Sequence, residues 1–152
     1  MRATAWFTLF FVATNALLVC CNAQNLPKNL PAAPAPCPVN LSVPDLLGHW
    51  LVQWPGGAAT EPTTARLQLV RNPDFSDSLV GTLNMGEQRH DIAGDVETNT
   101  LTLEQSANGT SISANWALTP LPGSCGRALG GLWIRAADGN QRDVQLRRPA
   151  QW

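Results

Sequence analysis

From Gly48 onward, apolar residues recur at every second position in short runs. Trp50, Val52 and Trp54 alternate with His49, Leu51 and Gln53, and the run stops at Pro55-Gly56-Gly57. Leu67 and Leu69 alternate with Arg66 and Gln68 before Asn72-Pro73-Asp74. Leu79, Gly81, Leu83 and Met85 follow, and then His90, Ile92, Gly94 and Val96 share one phase against Arg89, Asp91, Ala93, Asp95 and Glu97. Leu101 and Leu103 repeat the pattern, as do Ile112, Ala114, Trp116 and Leu118. A run from Leu129 to Arg135 leads through Asp138-Gly139 to Val144 and Leu146. A period of two places alternate side chains on opposite faces of a strand. The chain therefore predicts eight strands spaced about ten residues apart, the spacing of an antiparallel meander.

Turn chemistry fits that reading. Asn108-Gly109 and Asp138-Gly139 are the strongest hairpin signals, because both residue types tolerate the positive φ of tight primed turns. No helix of three turns is predicted after Gly57, which excludes α/β folds. Closing eight sequential strands on themselves removes both sheet edges and leaves a bore for side chains or one small ligand. The expected fold is all-β, a small eight-stranded antiparallel up-and-down barrel over residues 45–150. A flattened two-sheet sandwich is the competing architecture. Before it, Ser42-Val43-Pro44-Asp45-Leu46-Leu47 offers one helical turn with Ser42 as N-cap and Pro44 in the first turn.

The N-terminal part reads differently. Arg2, the apolar stretch Trp6–Val19 and the small-residue pattern at Cys21-Asn22-Ala23 form a secretory signal over residues 1–23. A lipid-modified Cys21 is the rival reading, opposed by Leu18-Val19-Cys20, which lacks a small residue just before Cys21. Residues 24–44 carry prolines at 27, 31, 34, 36 and 38, which exclude a helix and favour an extended arm. Export leaves Cys37 and Cys125 in an oxidising compartment, periplasmic or extracellular, where the pair is expected to form a disulfide.

Composition narrows the function classes. The 152 residues carry a formal net charge of −1 and only 14% charged side chains. Nucleic-acid binding needs a dense Lys/Arg field and is not expected. No segment supplies the ~18 apolar residues of a membrane-spanning helix. Abundant Ala, Pro and Arg point to a GC-rich bacterial source. Nucleophile-elbow, zinc-protease and phosphate-loop motifs are missing, and His90 and Asp91 are strand neighbours that face opposite ways. Neither cysteine has a His or a second Cys at ligand spacing, so no metal and no cofactor are expected, nor an enzyme.

Gly48-His49-Trp50 opening the first strand and Arg147-Arg148 closing the last resemble the calycin arrangement of lipocalins and avidins. In that arrangement a Gly-x-Trp at the closed barrel end packs near an arginine of the final strand. The resemblance implies that Gly48, Trp50 and Arg147 close the barrel, the guanidinium adding cation–π attraction to the buried indole. A second similarity, in the arm and the single disulfide, is to periplasmic barrels that inhibit secreted metalloproteases.

Trp54 lies about 13 Å beyond Trp50 on the same strand face. With Trp116 and Trp133 it could line a pocket for a small apolar molecule or short peptide, or it could fill the core. The expected function is an exported, non-enzymatic binding module using Trp54, Trp116 and Trp133. The alternative is an inhibitor or accessory protein that engages an envelope protein through its N-terminal arm.

Overall fold

The computed structural model describes Cys37, residues 40–56 and residues 63–149. The predicted signal segment, Cys21, most of the arm and Trp152 lie outside the described residues. One short helix precedes eight strands: α1 (Val43–Leu46), β1 (Gly48–Gln53), β2 (Thr64–Arg71), β3 (Ser78–Met85), β4 (Gln88–Glu97), β5 (Thr100–Ser106), β6 (Ile112–Pro120), β7 (Ala128–Arg135) and β8 (Gln141–Arg147). Every strand pairs antiparallel with its sequence neighbour, and β8 returns to β1 to close a barrel. The closing register is Leu51 opposite Arg147, Val52 opposite Leu146 and Gln53 opposite Gln145. This is the up-and-down barrel expected from the alternation, and the sandwich is excluded.

The period-two pattern translates directly into burial. Along β5, Leu101, Leu103 and Gln105 point inward while Thr102 and Glu104 face out. Trp50, Val52, Leu67, Leu69, Leu103 and Leu146 are at most 1% exposed, and each buried side chain of this kind contributes about 1.5–3 kcal/mol by leaving water. The outward phase of β4 carries Arg89, Asp91, Asp95 and Glu97. No helix among the described residues is long and apolar enough to cross a membrane.

Helix α1 starts where Ser42 and Pro44 predict it. The Asp45 carboxylate accepts the Ser42 backbone N–H at 3.1 Å and also the Ser42 hydroxyl, so it ties the first turn to its own cap. Val43 and Leu46 are buried with the barrel core, so the packed body begins before residue 45. Cys37 and Cys125 form the expected disulfide, with Cα atoms 4.9 Å apart.

Two turns correct the sequence reading. At Asn108-Gly109 and Asp138-Gly139 only the glycines take positive φ, +73° and +69°. Neither hairpin is a two-residue primed turn. Asn108 acts instead through its side chain, whose Oδ1 accepts the N–H groups of Thr110 and Ser111 at 3.0 Å. Asp138 Oδ1 likewise accepts the Asn140 N–H at 3.0 Å. Two consecutive left-handed residues without a glycine stand instead at Thr98-Asn99, at φ +46° and +66°. Pairing of Glu97 with Thr100 leaves only those two residues to reverse the chain, and strand twist then demands a primed turn. Asn99 also accepts the Leu41 N–H at 2.8 Å through Oδ1, fastening the segment before α1 to this end of the barrel.

Candidate functional site

The two ends of the barrel differ in chemistry. At the α1 end, Trp50 is 1% exposed and donates from Nε1 to the Leu46 carbonyl at 2.8 Å. The arginine laid over its ring is Arg148, with its guanidinium carbon 4.0 Å from the ring centroid. Arg148 donates to the Leu47 carbonyl at 2.7 Å and to the Asp45 carbonyl at 2.6 Å. The last carbonyls of α1, which a helix end leaves unpaired, thus find donors in Trp50 and Arg148. Burial, with Arg127 nearby, holds the Arg148 pKa below the ordinary arginine value, partly offset by Asp45.

Arg147 does not take this part. It is exposed and bonds to Gln145 at 3.0 Å. The correction follows from phase: Leu146 points in, Arg147 points out, and the next residue returns to the inner phase just past the strand end. Gly48 has φ +104°, and a Cβ there would stand 3.1 Å from Arg148 Nη1, so the closure requires a residue without a side chain. A cleft of about 600 Å³ opens beside this closure, lined by Leu41, Leu47, His49 and Arg127 among others. Two polar groups on its wall, Asp45 and Arg148, are already committed to the fold through the bonds just described.

The opposite end holds the three tryptophans singled out in the sequence. Trp54, Trp116 and Trp133 are 4%, 2% and 8% exposed, so they form a buried wall rather than an open contact surface. Trp54 and Trp116 meet with ring centroids 5.8 Å apart and planes tilted by 58°. Trp116 and Trp133 are register partners across β6 and β7. The structure therefore brings together residues from β6, β7 and the exit of β1.

Polar groups that the sequence reading did not single out are interleaved with these rings. Gln105 is 3% exposed and its Oε1 accepts the Trp133 indole N–H at 3.1 Å. Arg142, the register partner of Trp133, places its guanidinium carbon 5.7 Å from the Trp54 ring centroid. Arg135 does the same over Trp133 at 5.6 Å and pairs with Asp138 at 3.1 Å. His90 is 8% exposed, two positions along the inner face of β4 from Ile92, which is the partner of Gln105. Its neighbour Asp91 faces outward, as strand alternation requires. The available signal was phase: His90, Gln105 and Arg142 all occupy positions that the alternation reserves for apolar residues.

The buried nitrogens at this end with no hydrogen-bond partner include Nε1 of Trp54, Nε1 of Trp116 and both ring nitrogens of His90. An unsatisfied buried polar group costs about 1–3 kcal/mol. Three such side chains approach the net stability of a small domain, roughly 5–15 kcal/mol. Among the described residues no three His, Cys, Asp or Glu side chains converge to hold a metal ion. Comparison of the chain with protein-family models and with curated proteins gives no match.

Proposed function

We propose that the chain is an exported, non-enzymatic binding module of calycin type that takes a small, largely apolar molecule at the Trp54–Trp116–Trp133 end. The observation that carries this reading is the set of buried nitrogens without a hydrogen-bond partner on Trp54, Trp116 and His90 at one end of the barrel. A core that serves packing alone favours apolar side chains at such positions, because each unmet N–H is a net loss. A ligand with acceptor atoms removes that loss, and the tilted indoles supply apolar contact area for its body.

Other features support the reading. The Gly48–Trp50–Arg148 closure resembles the closed end of lipocalins and avidins, and a barrel of eight strands is of the size that either fills with side chains or holds one small ligand. The Cys37–Cys125 disulfide suits an oxidising periplasmic or extracellular compartment, as does the signal segment read from the sequence.

The test is a titration of the mature protein with N-phenyl-1-naphthylamine, a neutral aromatic probe, followed by tryptophan emission. Saturable quenching at one site per chain is expected, weakened when Trp116 is replaced by Leu. Emission unchanged up to the solubility limit of the probe would overturn the proposal.

A further inference from the structure

The cleft beside the barrel closure lies at the end opposite the tryptophan wall. We propose that it is a second, separate site, one for an organic monoanion whose carboxylate meets Arg127 and whose body rests on Leu41, Leu47, Pro120 and Pro149. The Arg148 N–H donates to the Arg127 carbonyl at 2.9 Å, which carries the β7–β8 ladder one pair beyond Ala128 and Arg147. Two positions further in, the partners Leu129 and Leu146 both point into the barrel, so Arg127 and Arg148 leave the ladder on one face. Residues bonded in this way stand about 5.5 Å apart at Cα, and like charges set directly opposite are destabilising. The Trp50 ring and the α1 carbonyls account for Arg148. They do not account for Arg127, whose guanidinium has neither a hydrogen-bond nor an ion-pair partner among the described residues. Both arginines line the same cleft of about 600 Å³.

Charge then sets the ligand class. Bonds to carbonyls satisfy donors of Arg148 without cancelling its charge. Among the described residues the lining therefore sets two guanidiniums against one carboxylate, Asp45. After burial, Arg127 is the influence that holds the Arg148 pKa below its ordinary value, and Asp45 opposes it more weakly. One negative charge balances this lining, whereas a second would face Asp45 with no cation left to offset it. A carboxylate brings that single charge and two coplanar oxygens to the Arg127 fork, a bond about twice as strong as a neutral one. The cleft has the volume of a small-molecule site, roughly 300–1,000 Å³, and its four apolar residues favour a hydrocarbon body over a bare ion.

Three probes that share a phenyl ring test this on the full mature protein: phenylacetate, neutral phenylacetamide and doubly charged phenyl phosphate. Isothermal titration at pH 7 is expected to give phenylacetate at least tenfold tighter binding than the amide, and tighter binding than the phosphate. In ¹H–¹⁵N spectra the shifts are expected at Leu47, His49, Gly126 and Arg127. In Arg127→Gln the acid preference should fall to threefold or less while the urea midpoint does not drop, because a like charge opposite Arg148 is gone; Arg127→Lys should restore most of the preference. Equal affinity for acid and amide overturns the proposal, as does tighter binding of the phosphate or an acid preference that survives Arg127→Gln. Shifts confined to the tryptophan end, or no binding at millimolar concentration, overturn it as well. A urea midpoint lowered in Arg127→Gln would make Arg127 part of the fold and also overturn it. The tryptophan-end reading stands or falls on its own probe, independently of these outcomes.

Discussion

Replacing Arg148 by Ala is the sharpest test of how the barrel is closed. The side chain donates to the Leu47 and Asp45 carbonyls at 2.7 and 2.6 Å and covers the Trp50 ring at 4.0 Å. A hydrogen bond from a charged donor is worth about 1.5–3 kcal/mol, and a cation–π contact about 0.5–2 kcal/mol. The guanidinium is only half-buried, which places each contribution near the bottom of its range. Truncation also strands two carbonyls at the end of α1, although water can reach part of that surface. The expected loss is about 3 kcal/mol. Arg148→Lys should lose roughly half as much, because an ammonium can stay over the ring but cannot span two carbonyls as a planar fork does. Arg147→Ala, outside the closure, should change stability by less than about 0.5 kcal/mol. Equilibrium urea unfolding at pH 7, followed by tryptophan emission and by far-UV circular dichroism, measures all three variants. An Arg148→Ala protein within 0.5 kcal/mol of wild type would refute the reasoning, as would a larger loss in Arg147→Ala.

Further outcomes follow from the turns, the disulfide and one surface carboxylate. Thr98→Asn keeps the primed turn but replaces a β-branched residue held at φ +46°, so stability should rise by about 1 kcal/mol, seen as a higher Tm; no rise would remove the strain argument. The Cys37–Cys125 bridge spans 88 residues of sequence, and the chain-entropy treatment gives it up to roughly 4–5 kcal/mol. Cys37→Ser/Cys125→Ser should therefore lower the urea midpoint strongly, and an unmoved midpoint would show that the tether adds nothing. Asp138 is held below its ordinary pKa of 3.8 by the Asn140 backbone N–H and, less strongly, by Arg135. A depressed carboxylate stabilises the fold above its unfolded pKa and loses that contribution as pH falls through the folded value. The gap in unfolding midpoint between wild type and Asp138→Asn should accordingly be full at pH 7 and shrink below about pH 4. A gap independent of pH would contradict that assignment.

Alternation alone determined a good deal of this protein. A strict period of two can bury only one face of each strand, so inside and outside followed from the sequence for Leu101, Leu103, Trp116, Leu118, Val144 and Leu146. Sequential strands with short turns left few topologies other than a meander, and the helical turn after Ser42 was legible from its cap. Phase carries further information: one step past Leu146 and Arg147 it returns to the inner face at Arg148, and it marks His90, Gln105 and Arg142 as polar residues in core positions.

What periodicity does not contain is angular position around the bore. It states that Trp54 and Trp116 point inward, but only the stagger of the closed sheet brings β1 and β6 side chains to 5.8 Å across the interior. The same closure sets Arg142 over Trp54 and leaves the Trp54, Trp116 and His90 nitrogens without partners. Turn geometry was likewise decided from outside the turn. Register between β4 and β5 forced Thr98-Asn99 into the left-handed region, while the Asn108 and Asp138 loops had enough residues to satisfy themselves through side-chain bonds. Local propensity is a preference of about 1 kcal/mol, and pairing along a whole strand outweighs it.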